Sequence, residues 1–293
     1  MMGFALILQM NPNKMKVFII IFFFLFNFQT YSQKQNNPAK EFNHLSASEI
    51  DQYLPRLHKA HPSFDDRLRV IALRRLGTPY YLKAIGDGKG YDSNPVFNIR
   101  TTNCTAFILT NVALASARSY QQANSAMAHI NYYPVPAGQN PINYRNRIHY
   151  TSHRLKSSNY FYLITDSIAV KSEQRTINLI LNRQQDGSRF LPIGWEKQIE
   201  LNYIPRKHIT KDLLKRFPKV CGVGIVRKEL FAKGIIIGHE GMVLDGKYFI
   251  HASLFAGKVV KEDFYRYTRK RRVTDGKFVC DGIVIYRMKE VRE

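Results

Sequence analysis

Cysteine is scarce, with three residues in 293, at positions 104, 221 and 280. That excludes a disulfide-framed miniprotein, and with no C-x-x-C pair the common zinc and dithiol redox motifs are absent. Acidic residues are half as frequent as basic ones, 22 against 44, which leaves a formal net charge of +22. Such a surplus suits an anionic partner: nucleic acid, an anionic membrane surface or an acidic cell-wall polymer. Long apolar runs are missing too. The longest, Val17 to Phe26, is far short of the roughly 20 residues that a membrane-spanning helix needs. There is no internal repeat. What the chain does have is 45% hydrophobic and 13% aromatic residues, ample for a packed core and incompatible with a disordered or collagen-like chain.

The short apolar run has the setting of a secretory signal peptide. Lys14 and Lys16 precede it, and Thr30-Tyr31-Ser32 places small residues three and one before a cut. Met15-Lys16 opens a more ordinary signal than the residues before it. No Cys follows the cut, so a bacterial lipid anchor is not indicated. Residues 1–32 carry two lysines and no acid, so the mature chain keeps +20. Export makes nucleic acid the least suited of the three anionic partners and leaves no integral membrane segment after signal removal.

Residues 33–45 are polar and Asn/Gln-rich and read as a linker, leaving 46–293 as a single domain. Ser46-x-x-Glu49 and Ser63-x-x-Asp66 have the spacing of capping boxes and predict two helices, the second ending at Gly77. Asn103-Cys104-Thr105 precedes a segment that is apolar nearly all round to Ala115, which predicts a buried helix with polar residues at its front; a short helix over 121–131 follows. Beyond about residue 158 the period changes. Stretches rich in β-formers occur at 160–165, 177–181, 220–226, 234–244, 247–253 and 278–288, and helices early with strands late predict an α+β arrangement. The basic strip Arg266 to Arg272 reads as a solvated turn.

Cys104 stands out because a thiol in the first turn of a buried helix meets unpaired backbone N–H groups, which favour a thiolate and can hold an oxyanion. His239 and His251 lie near the outer ends of two strands about a Leu244-Asp245-Gly246 turn. A three-residue loop sets His239 directly opposite His251, whereas a two-residue Asp-Gly loop puts the imidazoles on opposite faces. Only the first builds a site, with His239 nearer the Cys104 sulfur. His149 and His153, four apart, could bind metal on a helix, but their β-branched and aromatic neighbours argue against one. His44, His58, His61, His129 and His208 are scattered, so no metal or cofactor is expected. Cys221 and Cys280 fall in β-rich segments: either they form one bridge or they are two separate buried thiols.

Cys104 with Thr105-Ala106-Phe107, the His239-x-Gly241 step and Ile250-His251-Ala252-Ser253 resemble the NlpC-type papain-like cysteine peptidases of bacterial cell-wall metabolism. The chain resembles more closely a bacterial branch described as N-acetylmuramoyl-L-alanine amidase-like. That match adds Leu76-Gly77-Thr78-Pro79-Tyr80, the stretch Tyr144 to Tyr150 and Asn202-Tyr203-Ile204-Pro205, and spans roughly residues 70 to 255. The resemblance implies a papain-like α+β fold with N-terminal helices packed on an antiparallel sheet. It makes Cys104 the nucleophile, His239 the base and His251 its orienter, with Tyr80, Asn103 and Tyr150 as substrate-binding positions. Asn103 stands where the family usually has Asp, and Ser152-His153-Arg154 where it has a Trp-containing acidic step. The implied function is a periplasmic or secreted hydrolase that cleaves the amide between N-acetylmuramoyl and L-alanine in peptidoglycan or muropeptides. The alternatives are a stem-peptide endopeptidase of the same fold and a catalytically idle basic wall-binding protein.

Overall fold

The computed structural model of the protein describes residues 40–84 and 97–292. The expected signal peptide and residues 33–39 of the expected linker lie outside the described residues. The end of that linker is part of the packed chain: Phe42–His44 forms a turn of 3-10 helix, and Phe42 is buried with its ring 5.6 Å from that of Tyr53. A single apolar anchor in a polar stretch is enough to start the fold before residue 46.

Helix α1 (Ala47–Ala60) begins on the expected capping box, with Glu49 N–H donating to Ser46 Oγ and Ser46 N–H donating to the Glu49 carboxylate. Helix α2 (Phe64–Arg74) is capped by Ser63, whose Oγ accepts from Asp66 N–H at 3.1 Å. It ends before Gly77, which takes φ +85° and starts an extended segment whose N–H donates to Val259 O. Helix α3 (Cys104–Ser116) buries every residue from Ala106 to Ala115. It is apolar on all sides because it packs against α2 and helix α4 (Tyr120–Asn131) as well as against two strands of the sheet. Helix α5 (Thr151–Ser157) corrects the sequence reading of this segment as non-helical. Its side chains reach a buried carboxylate in the sheet, and that tertiary gain outweighs the poor local propensity.

The strands are β1 (Phe161–Leu163), β2 (Arg175–Leu181), β3 (Lys197–Pro205), β4 (Val220–Val226), β5 (Ile237–Leu244), β6 (Tyr248–Ser253), β7 (Lys258–Asp263) and β8 (Gly282–Met288). They form one antiparallel sheet in the order β2-β3-β8-β4-β5-β6-β7, and β1 also pairs with β8. Sequence reading missed β3 and β7, whose charged residues mask the alternation; β7 is an edge strand, where lysines are expected. Strand β4 lies near the middle and is buried throughout. Alternate residues of β4, β5, β6 and β8 feed two cores. Val220, Met242, Ile250 and Val284 face α3, whereas Val223, Val243, Phe249 and Ile285 face a second layer containing α6 (Lys211–Lys215) and α7 (Phe264–Tyr267). Gly222 makes room on the α3 side: a Cβ there would stand 2.1 Å from the Tyr286 ring.

Candidate active site

The β5–β6 hairpin closes with Leu244 paired to Tyr248, so its three-residue loop is Asp245-Gly246-Lys247, not Leu244-Asp245-Gly246. Asp245 at φ +55° and Gly246 at φ +61° are both left-handed. The shift moves the register by one pair. His239 is therefore diagonal to His251 rather than directly opposite, yet the parity is kept and both imidazoles share a face. His239 Nε2 lies 2.9 Å from His251 Nδ1. Gly241 makes this diagonal contact possible, because a Cβ at that position would stand 2.7 Å from His251 Cβ and 2.6 Å from the Phe249 ring. That is the physical content of the His-x-Gly step.

The register pairs β5 with β6 only from Met242 onward. Before it, the backbone N–H of Glu240 serves the Cys104 thiol, as do the N–H and hydroxyl of Thr105. Cys104 thus sits, half-buried, between the start of α3 and the open end of the hairpin, next in space to the residue that follows His239. Among the described residues no hydrogen bond joins the thiol to either imidazole. Those donors favour the thiolate, as expected from the helix start; burial, reinforced by the negative charge of Glu240, acts against them and pushes the thiol up to about 11. Burial likewise drives His239 down to about 3, with the neighbouring His251 and Arg227 acting in the same direction. Both shifts favour the uncharged forms of the two groups.

His251 is 3% exposed, stacked on Phe249 at 4.4 Å and edge-on to Tyr267 at 5.1 Å. Its Nε2 faces Glu262 Oε1 at 3.7 Å, an ion-pair separation longer than a formed hydrogen bond. The other Glu262 oxygen pairs with Lys270. His251 and Lys270 together hold the Glu262 carboxyl down to about 2. Sequence reading found neither Glu262, which lies in the missed strand β7, nor Tyr267, which lies in the segment read as a solvated turn and is buried.

On the opposite face Glu240 is locked in the core. Arg154 donates to its Oε2 at 2.6 Å, Tyr286 to Oε2 at 2.8 Å and Thr151 to Oε1 at 2.9 Å. This network ties α5 to the strand that carries His239.

Of the three expected substrate-binding residues, Tyr80 is beside the thiol; burial raises its phenol, and the charge of Cys104 adds to the effect. Asn103 uses both ends of its amide within the chain, accepting from Ala106 N–H at 2.8 Å and donating to Leu82 O at 2.9 Å, so it caps α3 and holds the Tyr80 segment. Tyr150 is buried, with its hydroxyl donating to Asn182 Oδ1 at 2.9 Å, and no contact brings it to the Cys104 cluster. His153 contacts the Tyr133 hydroxyl through Nδ1, and His149 contacts Tyr144 O through Nε2, so the two do not face a common point. Cys221 and Cys280 are free and buried. The β4–β8 register sets Cys221 level with Arg287, seven residues along from Cys280; that is about 23 Å of strand, far beyond disulfide reach. Among the described residues no helix is long and apolar enough to cross a membrane.

A model of the N-acetylmuramoyl-L-alanine amidase-like family matches residues 71–276, which include Tyr80, Cys104, His239, His251 and Glu262. No curated protein matches. Among solved structures, a Legionella pneumophila protein superposes with a TM-score of 0.63 at 20% identity, covering 83% of this chain and 94% of its own. An N-acetylmuramoyl-L-alanine amidase from Bacteroides uniformis superposes with a TM-score of 0.60 at 17% identity, covering 77% of this chain and 99% of its own. The two structures share the mixed fold of helices on an antiparallel sheet, and the extent of the family match shows that this chain belongs to the N-acetylmuramoyl-L-alanine amidase-like family.

Proposed function

We propose that the protein is an exported cysteine amidase of the papain-like kind, periplasmic or secreted, that cleaves the amide between the muramoyl lactyl group and L-alanine in peptidoglycan or muropeptides. The observation that carries the reading is the joining of His239 to His251 at 2.9 Å on the open end of the hairpin that receives the Cys104 thiol. This is the nucleophile, base and orienter set of a triad.

In this reading the Cys104 sulfur attacks the lactyl carbonyl carbon while His239 takes the thiol proton. Charge that develops on the carbonyl oxygen meets the Cys104 backbone N–H at the start of α3, and the Tyr80 hydroxyl can donate to the same oxygen. The tetrahedral intermediate collapses as protonated His239 gives its proton to the leaving amine of L-alanine. A muramoyl thioester remains on Cys104. Water, deprotonated by His239, releases the lactyl carboxylate and restores the thiol. Because thiol and imidazole both rest neutral, the proton moves with the attack. The excess of basic residues concentrates anionic wall material near the protein, an attraction that salt weakens.

Mass spectrometry of muropeptides incubated with the chain from residue 33 onward tests the bond. The amidase reading expects intact stem peptides with a free L-alanine amine together with the sugar half bearing a free lactyl carboxylate. A Cys104→Ala control should lose this turnover by about 10³-fold or more. Cuts within the stem would instead identify an endopeptidase, and absence of any cut would leave a wall-binding protein.

A further inference from the structure

A bond between two neutral imidazoles holds one proton, so one ring donates and the other accepts. With both rings neutral, two arrangements fit the 2.9 Å contact between His239 Nε2 and His251 Nδ1. In the first, His239 Nε2–H donates to His251 Nδ1; His251 then carries its proton on Nε2, and His239 keeps a free lone pair on Nδ1. In the second, His251 Nδ1–H donates to His239 Nε2; His251 Nε2 is then bare, and His239 Nδ1 is protonated and cannot act as a base. The contact between the two rings is the same in both states.

What distinguishes them is the group beyond. His251 Nε2 is buried and makes no hydrogen bond, and the group facing it is the Glu262 carboxylate at 3.7 Å. The other charged groups around the pair do not compete for it. Arg227 and Lys270 are cations, the latter bound to Glu262 itself, and Glu240 is engaged by Arg154, Thr151 and Tyr286 on the far face. A carboxylate facing a bare ring nitrogen repels its lone pair, whereas one facing N–H attracts it. Phe249, stacked on His251, and Tyr267, edge-on to it, hold the ring in this orientation.

We infer that Glu262 is a positioning residue that acts through His251, selecting the tautomer that leaves His239 Nδ1 as the basic nitrogen of the site. Lys270 keeps the carboxylate in place. The catalytic part of the inference rests on the amidase reading, whereas the tautomer assignment does not.

The test is ¹⁵N-histidine NMR at neutral pH on the full mature chain, with the His251 signals identified from a His251→Gln sample, run alongside kcat and KM on a muropeptide. The wild type should show His239 and His251 both protonated at Nε2. Glu262→Ala should move His251 toward Nδ1–H and lower kcat by about 10- to 100-fold with little change in KM, the range seen when a group orienting a histidine is removed. Glu262→Gln, whose amide oxygen still accepts from Nε2–H, should restore the wild-type tautomer and raise kcat above that of the alanine variant. If His251 in the wild type lacks a proton on Nε2, or if its tautomer is the same in Glu262→Ala, the inference is overturned whatever the activity. If the tautomers behave as stated and no variant cleaves muropeptides, the positioning role stands and the amidase reading falls.

Discussion

At the scale of single residues, the electrostatics of Cys104 and His239 decide how the site would work. A thiol pushed up to about 11 is not a standing nucleophile at neutral pH, and an imidazole held down to about 3 is not a standing acid. The backbone donors at the start of α3 oppose the burial of the sulfur without overcoming it. Alkylation of native protein by iodoacetamide reads this directly, since Cys221 and Cys280 are fully buried. The rate at Cys104 should climb continuously from pH 7 to pH 10; a plateau reached below pH 8 would mean a preformed thiolate and would contradict the neutral pair. Cys104 was legible from its place before an apolar run. Its ionisation was not, because the sulfur is buried by distant segments and, secondarily, meets the charge of Glu240, remote in sequence.

At the scale of elements, two local devices hold the site together. Gly241 lets β5 and β6 approach where His251 crosses toward His239, and a methyl group there meets both His251 Cβ and the Phe249 ring. Gly241→Ala should destabilise the fold by about 1–3 kcal/mol as these side chains are displaced, and should break the histidine contact, so that activity falls further than stability. Equal folding and undiminished turnover would contradict this role. Across the sheet, Arg154→Met leaves Glu240 charged and buried with only neutral donors. Removing one partner of such a pair costs about 3–5 kcal/mol, which urea denaturation should register; a loss below about 1 kcal/mol would show that the network is not bearing that charge. The sequence left two hairpin loops of opposite parity open, and the register selects a three-residue one. The capping box at Ser46 and the apolar helix after Asn103 were readable because each depends on neighbours in the chain. Helix α5, strand β7 and the burial of Tyr267 were not, because Thr151, Glu262 and Tyr267 are placed by partners from distant segments.

At the scale of the whole molecule, buried neutral histidines tie stability to pH. His239 is lowered from 6.5 to about 3 and His153 from 6.5 to about 4, in both cases first by burial. The unfolded chain therefore binds protons below pH 6.5 that the folded chain refuses, so stability is fully present above that value and is lost as pH falls toward 4. The melting temperature should decline steadily from pH 7 to pH 4, and less steeply in His153→Gln; a flat profile would mean that these rings are not held neutral. Charge acts at the same scale, since a mature chain at +20 should engage anionic substrate less well as salt rises. In the proposed reaction Cys104 forms a covalent bond to the muramoyl side of the scissile amide. Intact-protein and peptide mass spectrometry of an acid-quenched reaction with a muropeptide tests it most directly. A thioester on Cys104 carrying the sugar-lactyl half and no amino acid is expected. An adduct that includes L-alanine, an adduct on another residue, or product release with no adduct would contradict it.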